Sequence, residues 1–271
     1  LVMEVGDMRV AQVSVDLVNF YSDRVADVCK EKYGITQLLI CASHTHEDPN
    51  MADARPREKK PDHTPFFEEC IVKVVGEAIG NISAGTRTFP QLGFNRLIIR
   101  KDGKARESWI GDEHYNVENP ERIPFGPVDP EVGVIKVEDM QGNARAIVMS
   151  YAMHADLGCF SYEISADYPG YACRKVEEAF DNKAICLFVA GGGGNVEGLM
   201  ISRRRSGPND PIKTDYKPIQ RTGELLGIEV IKLANALHAS GDNTSFKMRT
   251  DSLQFSTRAD KNRKVNVHIA T

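Results

Sequence analysis

The chain lacks the features that mark several classes of protein. Its six cysteines include no Cys-x-x-Cys pair, which argues against a disulfide framework and against a zinc knuckle. No window approaches the roughly 18 consecutive apolar residues of a transmembrane helix, and no signal peptide precedes the first predicted strand. The net charge of −4 leaves no basic surface of the kind that binds nucleic acid. Nothing in the sequence indicates an oligomeric state.

What is present is the composition of a globular protein. The 271 residues are 41% hydrophobic and 27% charged, and the chain is long enough for one large α/β domain or two small ones. Short apolar runs predict strands over residues 9–15, 36–42, 132–137, 146–152, 184–190 and 245–255. Amphipathic stretches predict helices over residues 65–79, 170–180 and 219–237, and another that Asp16 caps and Gly34 ends. Residues 98–130 are rich in turn-forming and charged residues and predict hairpins and long loops. The fold class expected is α/β, with mixed β-sheets and flanking helices.

Three of the apolar strands run directly into polar or glycine-rich turns. Ala42 leads into SHTHEDP, Ala152 into MHADLG, and Ala190 into GGGGNVEG. Ligand sites of α/β sheets gather beyond the carboxyl ends of strands, so these turns would converge on one pocket if the strands are neighbours with the same polarity.

The histidines in these turns have two readings each. His44 and His46 are spaced i, i+2, which places both imidazoles on one side of an extended segment, where they suit a metal site or are simply partly exposed. His154 is either a ligand or a hydrogen-bonded core residue. The glycines from Gly191 to Gly194 allow backbone amides to approach a ligand, or form a structural turn.

The sequence resembles the neutral/alkaline non-lysosomal ceramidases and their bacterial relatives from about residue 9 to residue 237. Five motifs in order carry the resemblance: ASHTH at 42–46, GFNR at 93–96, SYAMH at 150–154, ISADYPG at 164–170, and Phe188-Val189 followed by GGNV at 193–196. The resemblance implies a ceramidase catalytic-domain-like fold, one domain over residues 1–271 that lacks N-terminal and C-terminal parts of the family, and a secreted or periplasmic location.

The resemblance also implies a zinc-dependent amide hydrolase. By matching motifs, His44 and His154 bind zinc, while His46 and Arg96 stand beside the metal, hold the substrate and stabilise the oxyanion. Gly193, Gly194 and Asn195 form the predicted substrate-binding turn. Asp167 is expected either to orient a metal-binding histidine by contacting it on the side away from the metal, or to cap the helix that starts before Pro169.

Two departures from the family pattern bear on the substrate. Where the family has Gly-Asp-Val-Ser-Pro with a catalytic serine, this chain has Gly194-Asn195-Val196-Glu197-Gly198, so Glu197 takes the serine position. We expect Glu197 to act as a general base or a metal ligand; the alternative is that it turns outward and caps the next segment. The family's Ser-Gly-Pro-Gly after His-Thr-His is Glu47-Asp48-Pro49-Asn50 here, which would add carboxylates near the pocket.

A third departure concerns the metal. The family's remaining zinc ligands, a glutamate and a tyrosine, lie beyond the C-terminal end of this chain, so two histidines alone would hold zinc weakly. The function expected is metal-dependent hydrolysis of an amide bond in a small-molecule or lipid-like substrate that need not be ceramide. The alternative is a non-catalytic ligand-binding domain derived from such a hydrolase.

Overall fold

The structure is a computed structural model. It describes residues 1–5, 7–49, 63–75, 81–88, 93–99, 105–107, 125–139, 141–158, 163–198, 203–204, 213–238, 250–256 and 264–270. The chain divides into two compact units, Leu1–Ser240 and Gly241–Thr271. In the second unit, strands β14 (Thr250–Ser256) and β15 (Lys264–Ala270) form an antiparallel pair. The prediction of a single domain over residues 1–271 stays a prediction.

The first sheet is built from strands β1 (Val2–Val5), β2 (Met8–Val15) and β3 (Gln37–Ala42). Strand β1 is antiparallel to β2, whereas β3 is parallel to it, as a βαβ crossover requires. Helix α1 (Asp23–Tyr33) makes that crossover and ends at Gly34, whose φ of 66° is the left-handed value that glycine adopts without strain. The predicted βαβ unit is therefore confirmed.

The second sheet holds four strands in the order β10-β9-β8-β4. Their bounds are Asn81–Thr88 for β4, Glu131–Glu138 for β8, Ala144–Tyr151 for β9 and Ile185–Ala190 for β10. Strands β9 and β10 are parallel, so their carboxyl ends lie at the same edge of the sheet. The two sheets meet where the Ser14 hydroxyl donates a 2.8 Å hydrogen bond to the Phe188 carbonyl.

The remaining strands are short. Strand β5 (Gly93–Ile99) pairs with β6 (Ala105–Glu107), β7 (Phe125–Gly126) and β11 (Val196–Gly198), each antiparallel. Strands β12 (Arg203–Arg204) and β13 (Lys213–Thr214) form a separate pair. The mixed arrangement agrees with the predicted fold class.

Two helices cover the second sheet and close the main core. Helix α3 spans Asp167–Ala179 and helix α4 spans Tyr216–Ala236, and both bury an apolar face against β8, β9 and β10. Tyr168, Phe188 and Leu226 are among the largest fully buried side chains of this core. Helix α2 (Thr64–Val74) and α1 pack on the first sheet instead, around buried Val25 and Ile71.

Helix α1 begins later than its sequence predicts. Ser22, not Asp16, is the N-cap, and its hydroxyl accepts a hydrogen bond from the Val25 amide. The backbone groups of Leu17 and Val18 are instead bound to the histidine-containing turn after β3, which keeps that segment out of the helix. In the part of the chain that the structure describes, no helix has the length and apolar character needed to cross a membrane.

Helices α3 and α4 approach closely at two glycines of α4. A Cβ atom on Gly223 would lie 2.5 Å from the Tyr168 carbonyl oxygen and 2.6 Å from the Tyr171 Cβ. At Gly227 the nearest atom would be the Lys175 Cβ at 2.9 Å.

We therefore expect Gly223→Ala to destabilise the protein. The gain in helix propensity is about 1 kcal/mol, but backbone atoms that cannot move aside make overpacking cost about 1–3 kcal/mol. Gly227→Ala is the matched control, and its loss should be smaller because the new Cβ would come no closer than 2.9 Å to a neighbouring atom, against 2.5 Å at Gly223. Urea unfolding of both variants measures the difference; a more stable Gly223→Ala protein would contradict the close packing.

Candidate metal centre

Three half-buried histidines meet beyond the ends of β3 and β9. The ring centroids lie 4.6 Å apart for His44 and His154, 4.8 Å for His46 and His154, and 5.1 Å for His44 and His46. One nitrogen from each ring can be chosen so that all three lie within 4.8 Å of one another. The turns after Ala42 and Ala152 therefore lie close together, as the sequence predicts for strands that end at the same edge.

His44 is held on both its backbone and its ring. Its amide donates to the Leu17 carbonyl at 3.0 Å, and its Nδ1 lies 2.7 Å from the Val18 carbonyl oxygen. A carbonyl only accepts, so Nδ1 carries the hydrogen and Nε2 keeps its lone pair for a metal. The backbone φ of His44 is 64°, a left-handed conformation that residues other than glycine rarely adopt. Strain of this kind persists only where surrounding contacts impose it.

His154 is oriented by the glycine-rich turn after β10. Its amide donates to the Val196 carbonyl at 2.9 Å, and its Nδ1 lies 3.4 Å from the Gly193 carbonyl oxygen. Only glycine fits at position 193, since a Cβ atom there would lie 2.6 Å from the Met153 nitrogen. Gly193 therefore lies against the segment that carries His154, and its predicted role in binding substrate stays a prediction.

His46 completes the group from the other end of its turn. Its amide donates to the Ala155 carbonyl at 2.9 Å, and the neighbouring Thr45 hydroxyl donates to the Ser165 carbonyl at 2.7 Å. These bonds fasten the turn after β3 to the segment after β9. The resemblance places His46 beside the metal, but here its Nε2 lies 3.0 Å from the His154 Nε2.

The three imidazoles suit a zinc ion. Two nitrogens that bind one tetrahedral zinc at about 2.0–2.1 Å lie about 3.3 Å apart, close to the distance between His46 and His154. Two of the rings direct Nδ1 to a backbone carbonyl, the arrangement that metal-binding histidines usually have. The ligand nitrogens of all three rings lie within 4.8 Å of one another.

The two carboxylates after His46 are buried. Glu47 is 1% exposed and Asp48 is 2% exposed. The Tyr216 hydroxyl donates to Glu47 at 3.2 Å, and the Val18 amide donates to Asp48 at 2.9 Å. Both carboxylates are buried within the framework that carries the histidine turn, and the expectation that they lie near the substrate pocket stays a prediction.

Asp167 is fully buried at the start of α3 and binds backbone amides. Gly158 donates to one carboxylate oxygen at 2.9 Å and Tyr168 to the other at 2.6 Å. The pKa of Asp167 is raised to about 7. Burial is the main cause, the hydrogen bonds from backbone amides act in the opposite direction, and the charge of Glu47 adds to the rise. Ala166, not Asp167, is the N-cap of α3, and Asp167 is the first residue of the helix. No histidine is among the described hydrogen-bond partners of Asp167, and its predicted role in orienting a histidine stays a prediction.

The other predicted site residues lie near the histidines by their strand positions. Glu197 is buried, 9% exposed, in β11, and the residue before it holds the His154 amide through its carbonyl. Gly194 is exposed and Asn195 is half-buried, both in the turn that leads into β11. Arg96 belongs to β5, which pairs with β11 so that Asn95 lies opposite Val196. The Arg96 side chain lies outside the part that the structure describes, and the roles of all four stay predictions.

Two residues that support the site carry no signal in the sequence. Val18 contacts the histidine turn through its backbone, and a backbone contact cannot be predicted from the type of the residue. Tyr216 reaches Glu47 from helix α4, 169 residues along the chain. Neither contact follows from spacing or periodicity.

The left-handed backbone at His44 generates a stability prediction. An L residue in this conformation costs about 1–2 kcal/mol, which glycine avoids. Because His44→Gly and His44→Ala both remove the imidazole, their difference isolates the backbone term, and we expect the glycine variant to be the more stable by about 1 kcal/mol. Urea denaturation of the two metal-free proteins measures it. Equal stability, or a more stable alanine variant, would argue against a positive φ at this position.

Asp167 generates a prediction about pH. Its pKa is about 7 in the folded protein and about 3.9 when unfolded. Between these values the folded state binds the extra proton, so this residue makes stability fall as pH rises from about 4 to about 7, by on the order of a few kcal/mol. Asp167→Asn cannot titrate and should flatten that part of the profile, while lowering stability throughout because the amide has one acceptor oxygen instead of two. Urea unfolding at several pH values tests this, and an unchanged slope would contradict it.

No protein-family model matches the chain, and no curated protein matches it in sequence. Solved structures do match. A ceramidase complexed with C2 superposes with a TM-score of 0.61 and 16% identity, covering 95% of this chain and 41% of that chain. The neutral ceramidase of Pseudomonas aeruginosa gives a TM-score of 0.57 and 15% identity, covering 92% and 40%. The chain thus spans about two fifths of the length of these enzymes, and its fold is ceramidase-like.

Proposed function

We propose that the protein is a metal-dependent hydrolase that cleaves an amide bond, with zinc held by His44, His46 and His154. The observation that carries this proposal is the convergence of three imidazoles, two of which direct Nδ1 to a backbone carbonyl. The ceramidase-like fold supports amide hydrolysis as the reaction. A neutral N-acyl compound is the proposed substrate, because the two carboxylates of the histidine turn are buried within the framework.

The chemistry divides between the metal and the chain. When bound, zinc polarises a carbonyl and lowers the pKa of water. The three histidines hold it on the protein, and the backbone carbonyls of Val18 and Gly193 fix the rings of His44 and His154. Arg96, one strand away from Glu197, is proposed to stabilise negative charge on the carbonyl oxygen.

Glu197 is the proposed general base. It would take a proton from the attacking water as the oxygen adds to the carbonyl carbon, and return a proton to the amine nitrogen as the carbon–nitrogen bond breaks. Its support is its position, buried in β11 one residue from the contact to His154. A carboxylate at this point can supply a proton acceptor where the related enzymes have a serine.

The metal is tested by binding. We expect the purified protein to bind one zinc ion, and His44→Ala and His154→Ala each to weaken the affinity by more than the about 10–100-fold that loss of an outer partner causes. His238→Ala is the control, because His238 is exposed and lies outside the group. Calorimetry against a competing chelator measures the affinities. Loss of affinity in the control equal to that in the two variants would remove the proposed site.

Glu197 is tested by turnover. On a panel of N-acyl amines that includes ceramide, Glu197→Gln should lower kcat by about 10² to 10⁴-fold with folding and zinc content unchanged. Glu138→Gln makes the same chemical change on a carboxylate at the opposite end of the second sheet and should leave kcat as it was. An unchanged kcat in the Glu197→Gln variant would make Glu197 a bystander. Zinc binding with no turnover of any substrate would favour the ligand-binding alternative.

A further inference from the structure

We propose that Asp48 is a positioning residue for the metal centre, acting on His44 through the backbone of Val18. This inference rests on the proposed function, because it concerns how the chain prepares one of the proposed zinc ligands. The family pattern offers no role for a carboxylate here, since it has a small residue at this position. The role follows from the contacts of Asp48.

Asp48 and His44 contact the same residue from the same turn. The Val18 amide donates to the Asp48 Oδ2 at 2.9 Å, and the Val18 carbonyl accepts from the His44 Nδ1 at 2.7 Å. Both polar groups of one residue are thus bound by a single turn of five residues. If the bond to Asp48 is lost, the bond to the ring of His44 is the one that remains among the hydrogen bonds described for the Val18 backbone.

The segment that carries Val18 is held by the buried side chain of Leu17, by the packing of Phe20 on the first core, and by hydrogen bonds to the histidine turn. It connects β2 to α1 outside any helix or strand, so no ladder of hydrogen bonds fixes its backbone. The carbonyl of the neighbouring Leu17 accepts a hydrogen bond from the His44 amide, and the side chain of Leu17 is buried. Asp48 adds a side-chain acceptor that binds the Val18 amide at 2.9 Å.

The consequence reaches the metal through the ring of His44. Only while the Val18 carbonyl stays in place does Nδ1 keep the hydrogen and Nε2 offer a lone pair. The ring must also keep its orientation, because the backbone of His44 is held at a φ of 64° that a loosened turn would not retain. Outer partners of metal-binding histidines typically change metal affinity by about 10–100-fold.

The contact between Glu47 and Tyr216 acts on the other side of the turn. The Tyr216 hydroxyl ties the turn to helix α4, and Glu47 also lies against Gly158, where a Cβ atom would come within 2.5 Å of its carboxylate. That contact fixes the turn to the core without reaching Val18. Asp48 is therefore the carboxylate of the pair whose described contact leads to a histidine ring.

The test compares three variants by cobalt binding. We expect Asp48→Ala to lower the affinity for Co²⁺ by about 10–100-fold and to weaken the visible absorption of four-coordinate cobalt. Asp48→Asn keeps an acceptor oxygen and should stay within about threefold of the parent protein. Thr222→Val removes a buried hydrogen bond inside α4, remote from the turn, and controls for general loss of stability. Parent affinity in Asp48→Ala, or an equal loss in Thr222→Val, would overturn the proposal.

A second measurement needs no metal, and its first step uses the parent protein alone. Nitrogen-15 NMR distinguishes the two neutral forms of a histidine ring, and His44 of the metal-free parent protein should have its hydrogen on Nδ1. In Asp48→Ala the form with the hydrogen on Nε2 should appear, and in Asp48→Asn it should not. A parent protein with the hydrogen mainly on Nε2 overturns the proposal even if Asp48→Ala does not fold. Failure of the parent protein to bind Co²⁺ would instead count against the proposed function, and the ring form would still decide the role of Asp48.

Discussion

The left-handed backbone of His44 is the constraint on which the arrangement of the centre depends. At a φ of 64° the chain turns sharply as it leaves β3, which lets the ring of His44 face Val18 while His46, two residues later, reaches Ala155. A relaxed extended backbone would carry the turn straight on from the strand. Contacts from three directions hold the conformation: the segment after β2, the segment after β9, and the start of α4. Much of what surrounds the histidines can be understood as support for one unfavourable dihedral angle.

Those supports explain why polar residues are buried near the centre. Thr45, Glu47 and Asp48 are almost entirely inaccessible, and each has a described hydrogen bond to a different neighbouring segment. Buried polar groups are costly unless they are hydrogen-bonded, but once bonded they fix geometry more narrowly than apolar contacts do. Asp167 adds a further buried carboxylate, whose pKa is raised first by burial and then by the charge of Glu47. A site that must hold three rings within a few ångströms benefits from such directional restraints.

The sequence predicted the strands and the meeting of the histidines more successfully than it predicted the surroundings. The apolar runs before His44 and His154 predicted strands β3 and β9. Because ligand sites gather at the carboxyl ends of strands, the two following turns were expected to lie close together. The start of α1 could not be predicted, because Asp16 is as good a cap by type as Ser22 and only the contacts of Leu17 and Val18 decide between them. The burial of Glu47 and Asp48 was also out of reach, since their partners are a backbone amide and a tyrosine far along the chain. Residue type gives candidates, but burial depends on long-range packing.

The contact between His46 and His154 joins positions 108 residues apart in the chain. Closing a loop of this length carries an entropic cost that local segments cannot offset, so the histidine cluster can exist only after both sheets have formed and met. An ion that binds all three rings therefore recognises the finished unit rather than either half of it. By mass action, binding of the ion would shift the equilibrium from the unfolded to the folded protein without stabilising partly folded forms. Resistance to proteolysis would then depend on the concentration of available metal, which links the lifetime of the protein to the supply of its ligand.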